Sequence, residues 1–474
     1  MPAANLVTQL EQPEQPRSSL WSVLVSSPCD TLYSRFYKGA SWAFIGTALS
    51  QSSVVVWSMI AARLLGREGF GALGIVQSTV GVLGTFAGLG LGMTTTKYVA
   101  EFRASDPSRA GRMIGLSVAV SLATGSGVAA ALWILSPWLA THAVAAPNLA
   151  GQLRIAAILL LLMTLNGVQT GTLTGLEAFR RLARVNLSRG IAALPVGVAA
   201  VWFGGLTGAV WALVASAALG CWFGQIAVQR ACASAGVPVS WRGAWSERAV
   251  LWRFSLPAFL SNVSVVATWA AYAIMVHRPA GYSQLGAFNA ANQFRNCILL
   301  VPAIVGQPLL PMLSDLYARS AAEFRRLLRT SLVLMAMVSA AIALPVCLMS
   351  PWIMALFGAR FRAEWPALVF LAASTLPAAC CSIVGQAIAG SGKQWTGFAL
   401  NFIWAAALVG ITLAWGSHLN AVRLAMAFAA SYALHTITTA ACAFWVLNLR
   451  PHAAFTPTAS STPSSADFPE PART

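Results

Sequence analysis

Charge is what this sequence most lacks. Only 9% of its 474 residues are Asp, Glu, Lys or Arg, against 57% hydrophobic, and the mean hydropathy is +0.69. A chain so composed cannot clothe a water-facing surface, which excludes a soluble globule. Acids are scarcer still: the thirteen Asp and Glu all fall in tails, loops or the ends of apolar runs. No carboxylate is therefore available at a bilayer midplane to hold a cation. Lysine occurs only at 38, 97 and 393, so the basic side of the balance is arginine. The eight cysteines lie mostly in apolar runs, without CxxC spacing or a partnering histidine cluster, which excludes a metal or disulfide framework. Loops long enough to form a separate domain are missing as well. The net charge of +17 would point to nucleic acid in a soluble protein, but in a membrane chain basic residues first mark a side of the bilayer, and no nucleic-acid partner is expected.

What is present is a succession of apolar runs of about twenty residues, the length that crosses a hydrocarbon core at 1.5 Å per residue. Twelve are predicted, at 39–63, 70–94, 113–136, 153–176, 183–203, 207–229, 254–276, 285–313, 330–350, 365–389, 395–415 and 421–448. With the N-terminus inside, 22 of the 30 basic residues fall in inside segments and 7 in outside ones, leaving Arg295 alone mid-span. That bias obeys the positive-inside rule, so both termini are expected to be cytoplasmic. Residues 1–38 hold only a brief apolar run at 20–25, too short for a signal-peptide core. The Pro-, Ser- and Thr-rich 450–474 reads as a disordered tail.

Residues 63–101 are the most distinctive stretch. A charged turn, Gly66-Arg67-Glu68-Gly69, leads into a charge-free run that closes on Lys97, Tyr98 and Glu101. Glycines 81, 84, 88 and 92 share one helix face, where small residues are expected to let another helix approach. Sliding the chain by 215 residues aligns Lys38 with Arg253, Phe44 with Phe259, Gly71-Ala72-Leu73 with Gly286-Ala287-Phe288, Gly175 with Gly390 and Asn186 with Asn401. One constant offset at equivalent places implies a duplication. Each half holds an even number of spans, so the halves are related by an axis along the membrane normal. The predicted fold class is an all-α polytopic membrane protein, about twelve transmembrane helices in two parallel six-helix lobes around a central cavity. The lobes are 39–229 and 254–449, joined by a cytoplasmic linker at 230–253.

The segments ARLLGREGFGALG and TTTKYVAEF, with LTGLEAFRR at 173–181, resemble the polysaccharide or oligosaccharide flippases. These share a superfamily with multidrug and toxin extruders and lipid II flippases. The resemblance implies alternating access without enzymatic chemistry, a bacterial inner-membrane location, and an isoprenoid-diphosphate-linked oligosaccharide as cargo. It also implies polysaccharide polymerase or export machinery as partners. The alternatives are a multidrug-type exporter, disfavoured by the missing intramembrane acid, and a membrane glycosyltransferase or polymerase, disfavoured by short outward loops.

Arg295 is the outstanding candidate for cargo contact. An arginine at mid-span costs at least about 2.5–3.5 kcal/mol on insertion scales, so it must face a wet cavity, an anion or a polar helix neighbour. Asn289, Asn292 and Asn296 share a helix face beside it, flanked by Gln293. Guanidinium grips diphosphate bidentately, and amides hydrogen-bond sugar hydroxyls. Arg189 and Asn262 complete the substrate-binding set: Arg189 either lines the cavity or snorkels to headgroups, and Asn262 either meets cargo or bonds a neighbouring helix. Lys38 and Arg253 open the two repeats and either attract phosphate or merely obey the charge rule. Prolines 302, 308 and 311 are expected to bend the Arg295 span. No cofactor is expected. GQAIAGSGKQ has Gln394 where a phosphate loop needs Ser or Thr, and GLGLG at 88–92 lies in a span.

Overall fold

The computed structural model describes residues 29–241, 243–248, 262–306, 320–391 and 393–448, with the isolated positions 309, 313 and 316, and the side chains from residue 51. Of the positions singled out above, Arg253, Pro308, Pro311 and the tails at 1–28 and 449–474 lie outside these residues, as does the side chain of Lys38. Among the described residues there are helices and no strands.

The helices are α1 (Cys29–Gly88), α2 (Leu91–Phe102), α3 (Pro107–Trp138), α4 (Ala150–Gly175) and α5 (Phe179–Ala235), followed by α6 (Val263–Val276), α7 (Gly281–Gly306) and α8 (Ala321–Leu348). Then come α9 (Ser350–Leu356), α10 (Trp365–Ala373), α11 (Thr375–Gly390), α12 (Gln394–Ala414) and α13 (Ala421–Asn448). Two of these are double crossings. α1 turns back at Gly66 (φ 68°, ψ −177°) and α5 at Gly205 (φ 52°, ψ −132°), backbone conformations that a residue with a Cβ adopts at a cost. Conversely, the second crossing of α1 breaks at Leu89 and Gly90, both at positive φ, and continues as α2. The crossing predicted at 365–389 is likewise broken, between α10 and α11. About twelve crossings result. Among the described residues eight helices are long and apolar enough to span a bilayer, counting α1 and α5 once each.

Local sequence explains the helix starts. Asp106 caps α3, accepting from the Arg109 backbone N–H at 2.9 Å, with Pro107 at the first position. Ser320 caps α8 and Glu323 stands three residues on, the spacing of a capping box. The turns alternate between two faces of the molecule. One, the Gly66 face, carries the turns near 66, 144, 205, 279, 358 and 418; the opposite face carries those near 104, 177, 240, 320 and 392. On the latter, Glu247 binds Arg109 at 3.0 Å and Arg112 at 3.6 Å, raising the Arg109 pKa and fastening the 244–247 turn to α3.

α1 to α5 pack with one another and α6 to α13 with one another. The two bundles meet chiefly where α1 lies against α6 and α7. That junction is built on the 215-residue repeat. A Cβ on Gly71 would come 1.9 Å from the Tyr282 carbonyl oxygen, and a Cβ on Gly286 would come 1.9 Å from that of Arg67. Tyr282 stands 215 residues after Arg67, and Gly286 stands 215 after Gly71. The contact is self-complementary, as an isologous interface must be, so a pseudo-twofold axis passes between the two glycines.

Candidate functional site

From the Gly71–Gly286 crossing, α1 and α7 diverge toward the face opposite Gly66. Gly74 still touches α7, since its Cβ would meet the Asn289 amide. Three and more turns on, Gly81, Gly84 and Gly88 have nothing within 4 Å of a built Cβ, while Asn296 and Ala303 on α7 are exposed. The first three glycines therefore line open space instead of seating a helix, and of the four expected to pack only Gly92 does, against the Gly167 backbone of α4. The result is a cleft between the bundles. Among the described residues it is closed at the Gly66 face and open beyond Gly81.

The seal adds polar contacts to the glycine crossing. Arg67 Nη2 binds Glu364 Oε1 at 2.8 Å with both side chains mostly buried, and its other nitrogens donate to the carbonyls of Ser283 and Arg360. Arg63 donates to the Leu356 carbonyl at 2.7 Å. Tyr282 Oη donates to the Val144 carbonyl, and His277 Nε2 stands 3.2 Å from that of His142. Each of these joins the N-terminal bundle to the C-terminal one.

A cavity of about 100 Å³ lies between α1 and α5 of the N-terminal bundle, with Gln293 of α7 at its edge. Arg189 and Gln293, both expected from sequence, meet there, together with Gln77, Ser53, Trp57 and Ser216. Arg189 is half-buried between the Gly220 backbone and the cavity, with no carboxylate among the residues lining the space. A cation and two amides facing one space can hold an anionic, hydroxyl-rich group. Gln77 was legible as an amide inside a span. Trp57, Ser53 and Ser216 carry no such signal.

The remaining expected residues separate. Asn289 packs on Gly74, Asn296 faces the open cleft, and Asn292 is half-buried with its Oδ1 unbonded. Asn262 stands just ahead of α6, its carbonyl accepting from Val265 N–H at 3.0 Å. Arg295 is turned away from the cavity. It shares a stripe with Phe288, Ala291 and Ile298, all directed into the C-terminal bundle, and is only 7% exposed. Residues 289, 293 and 296 face the N-terminal bundle; 295 lies on the far side of the same helix.

The model of a family described as "Polysaccharide biosynthesis protein" matches residues 36–317, more than half of the chain. The chain belongs to this family. Its relatives include the EPS I polysaccharide export inner membrane protein EpsE of Ralstonia nicotianae, 23% identical over 85% of this chain and 93% of the relative. A second is the succinoglycan biosynthesis transport protein ExoT of Rhizobium meliloti, 27% identical over 78% and 71%. Among solved structures, an inward-facing multidrug resistance MATE family transporter of the MOP superfamily superposes with a TM-score of 0.71, at 14% identity, over 85% of this chain and 98% of that one. A MOP superfamily transporter from Pyrococcus furiosus, described as having a binding pocket of reverse polarity, gives 0.68 at 16% identity over 86% and 95%. This member of the polysaccharide biosynthesis protein family therefore has the fold seen in MATE family transporters.

Proposed function

We propose that the chain serves polysaccharide export in a bacterial inner membrane by flipping an isoprenoid-diphosphate-linked oligosaccharide from the cytoplasmic to the periplasmic leaflet. The observation that carries this reading is the cleft, closed by the Gly71–Gly286 crossing and the Arg67–Glu364 pair and open beyond Gly81 among the described residues, together with the cavity that holds Arg189, Gln77 and Gln293. The basic turns, including Arg180, Arg181, Arg184 and Arg325, lie on the face to which the cleft opens, and the positive-inside rule makes that face cytoplasmic. Both termini then lie in the cytoplasm. The diphosphate meets Arg189 and the sugars meet the amides, while the isoprenoid chain stays in lipid. Lobes 39–229 and 254–449 rock about the pseudo-twofold, parting at the Gly66 face after loading.

No carboxylate lines the cavity, which disfavours a cationic drug as cargo. Deleting the gene and locating the lipid-linked glycan tests the reading. Accumulation on the cytoplasmic leaflet is expected. An unpolymerised glycan already displayed outside would overturn it in favour of a polymerase.

A further inference from the structure

Among the described residues no carboxylate pairs with Arg295, which is enclosed in the C-terminal bundle. Its Nε donates to Ser374 Oγ at 3.3 Å, and that hydroxyl in turn donates to the Leu371 carbonyl at 2.6 Å. The guanidinium carbon lies 5.1 Å from the Tyr432 ring centre and 5.8 Å from that of Phe428. Nη2 is buried and has no hydrogen-bond partner. Trp404, 4% exposed, packs on the same two rings at 5.2 and 6.1 Å, and its indole N–H is also buried and unbonded. Two buried donors thus pack on one aromatic pair without a hydrogen-bond partner among the described residues. Unsatisfied buried donors mark a missing partner.

The identity of that partner follows from charge and enclosure. Ring faces offset only part of the desolvation of a buried guanidinium. No acid in the sequence falls inside a predicted C-terminal span: Asp315 follows the Arg295 span, Glu323 opens α8, Glu364 is engaged by Arg67 at the Gly66 face, and Asp467 and Glu470 belong to the tail. Water would satisfy a donor without neutralising the ion. A glycan diphosphate is too large for a guanidinium that is 93% enclosed. We propose that Arg295, with the Trp404 indole, forms a binding site for a small inorganic anion of chloride size within the C-terminal bundle. The Asn292 amide one turn earlier, whose buried oxygen is unbonded, supplies a third donor when turned end for end. The site is separate from the cargo cavity, because Arg295 and Gln293 point to opposite sides of α7.

Full-length protein in nanodiscs, titrated with sodium chloride against sodium gluconate at constant ionic strength, tests the site by thermal unfolding. The wild type is expected to show a saturable rise in Tm with chloride and with bromide. Arg295→Gln is expected to weaken chloride binding at least about tenfold, the effect of losing one charge-assisted hydrogen bond. Trp404→Phe keeps the charge and most of the ring, so it preserves the fold and is expected to weaken binding about threefold or more through the lost N–H donor alone. Bromide soaked into crystals is expected to give an anomalous peak between these side chains. A wild type indifferent to the anion at equal ionic strength overturns the proposal, and so does chloride dependence that survives in both variants. Should Arg295→Gln fail to fold, unchanged binding in Trp404→Phe together with no bromide peak beside Arg295 has the same force. Every readout is anion binding, so the result stands apart from whether the chain moves a glycan.

Discussion

Replacing Arg189 with alanine removes the cation that faces the cleft while leaving the helices on which it sits intact. Transport of the lipid-linked glycan is expected to fall at least about tenfold at unchanged protein level, as for the loss of a charge-assisted hydrogen bond, with part of it restored by Arg189→Lys. Measuring exported polysaccharide beside membrane protein abundance decides it: undiminished export would return Arg189 to a headgroup-facing role. Gln293→Leu tests the amide contribution in the same assay and is expected to have a smaller effect, since a neutral hydrogen bond contributes about half as much. At this scale the sequence marked chemistry better than direction. Arg295 stood out because an arginine so far from any span end must be accounted for, yet 3.6-residue periodicity alone does not say which neighbour each stripe meets. Asn289, Gln293 and Asn296 sit within two turns of Arg295 and face away from its bundle.

The second crossing of α1 carries two kinds of glycine that periodicity does not separate. Gly71 lies against backbone, and a side chain there has no room: Gly71→Leu is expected to force α1 from α7 and to destabilise the protein by about 2 kcal/mol or more, as overpacking does. Gly81 faces open space, so Gly81→Leu is expected to leave the unfolding temperature unchanged while narrowing the cleft and slowing transport of a bulky cargo. Thermal unfolding and transport measured on both variants separate the two roles. A stable Gly71→Leu would contradict the close crossing, and a destabilised Gly81→Leu would contradict the open cleft. Element boundaries were largely legible, because apolar run length and caps such as Asp106 and Ser320 are local properties. The breaks at Leu89–Gly90 and between α10 and α11 were not, since both fall inside charge-free runs whose length set the spans, and the local signals of Gly90 and Pro377 are also tolerated within membrane helices.

For the whole molecule, the proposed cycle makes the Gly66 face the closed gate and the opposite face the entrance. A cysteine placed at Gly84 is expected to react with a membrane-impermeant maleimide only from the cytoplasmic side, judged against the reactivity of the native cysteines. Labelling from the periplasmic side instead would reverse the assigned orientation. Disulfide trapping of Arg67→Cys with Glu364→Cys is expected to hold the bundles together at the Gly66 face and stop turnover, with recovery on reduction. Trapped protein that still transports would show that this face need not part.

The sequence by itself determined the class of molecule: composition excludes a soluble fold, run lengths dictate the number of crossings, and arginine placement distinguishes the two faces. It also contained the duplication, since a repeat is a property of the chain. Only the tertiary structure decided what each repeat element touches. The same offset that pairs Gly71 with Gly286 places Asn289 opposite Gly74 and Arg295 opposite Val80, and whether such positions meet, diverge or turn outward depends on where the two helices cross. That crossing point is fixed by packing between residues more than two hundred positions apart, which no local pattern encodes.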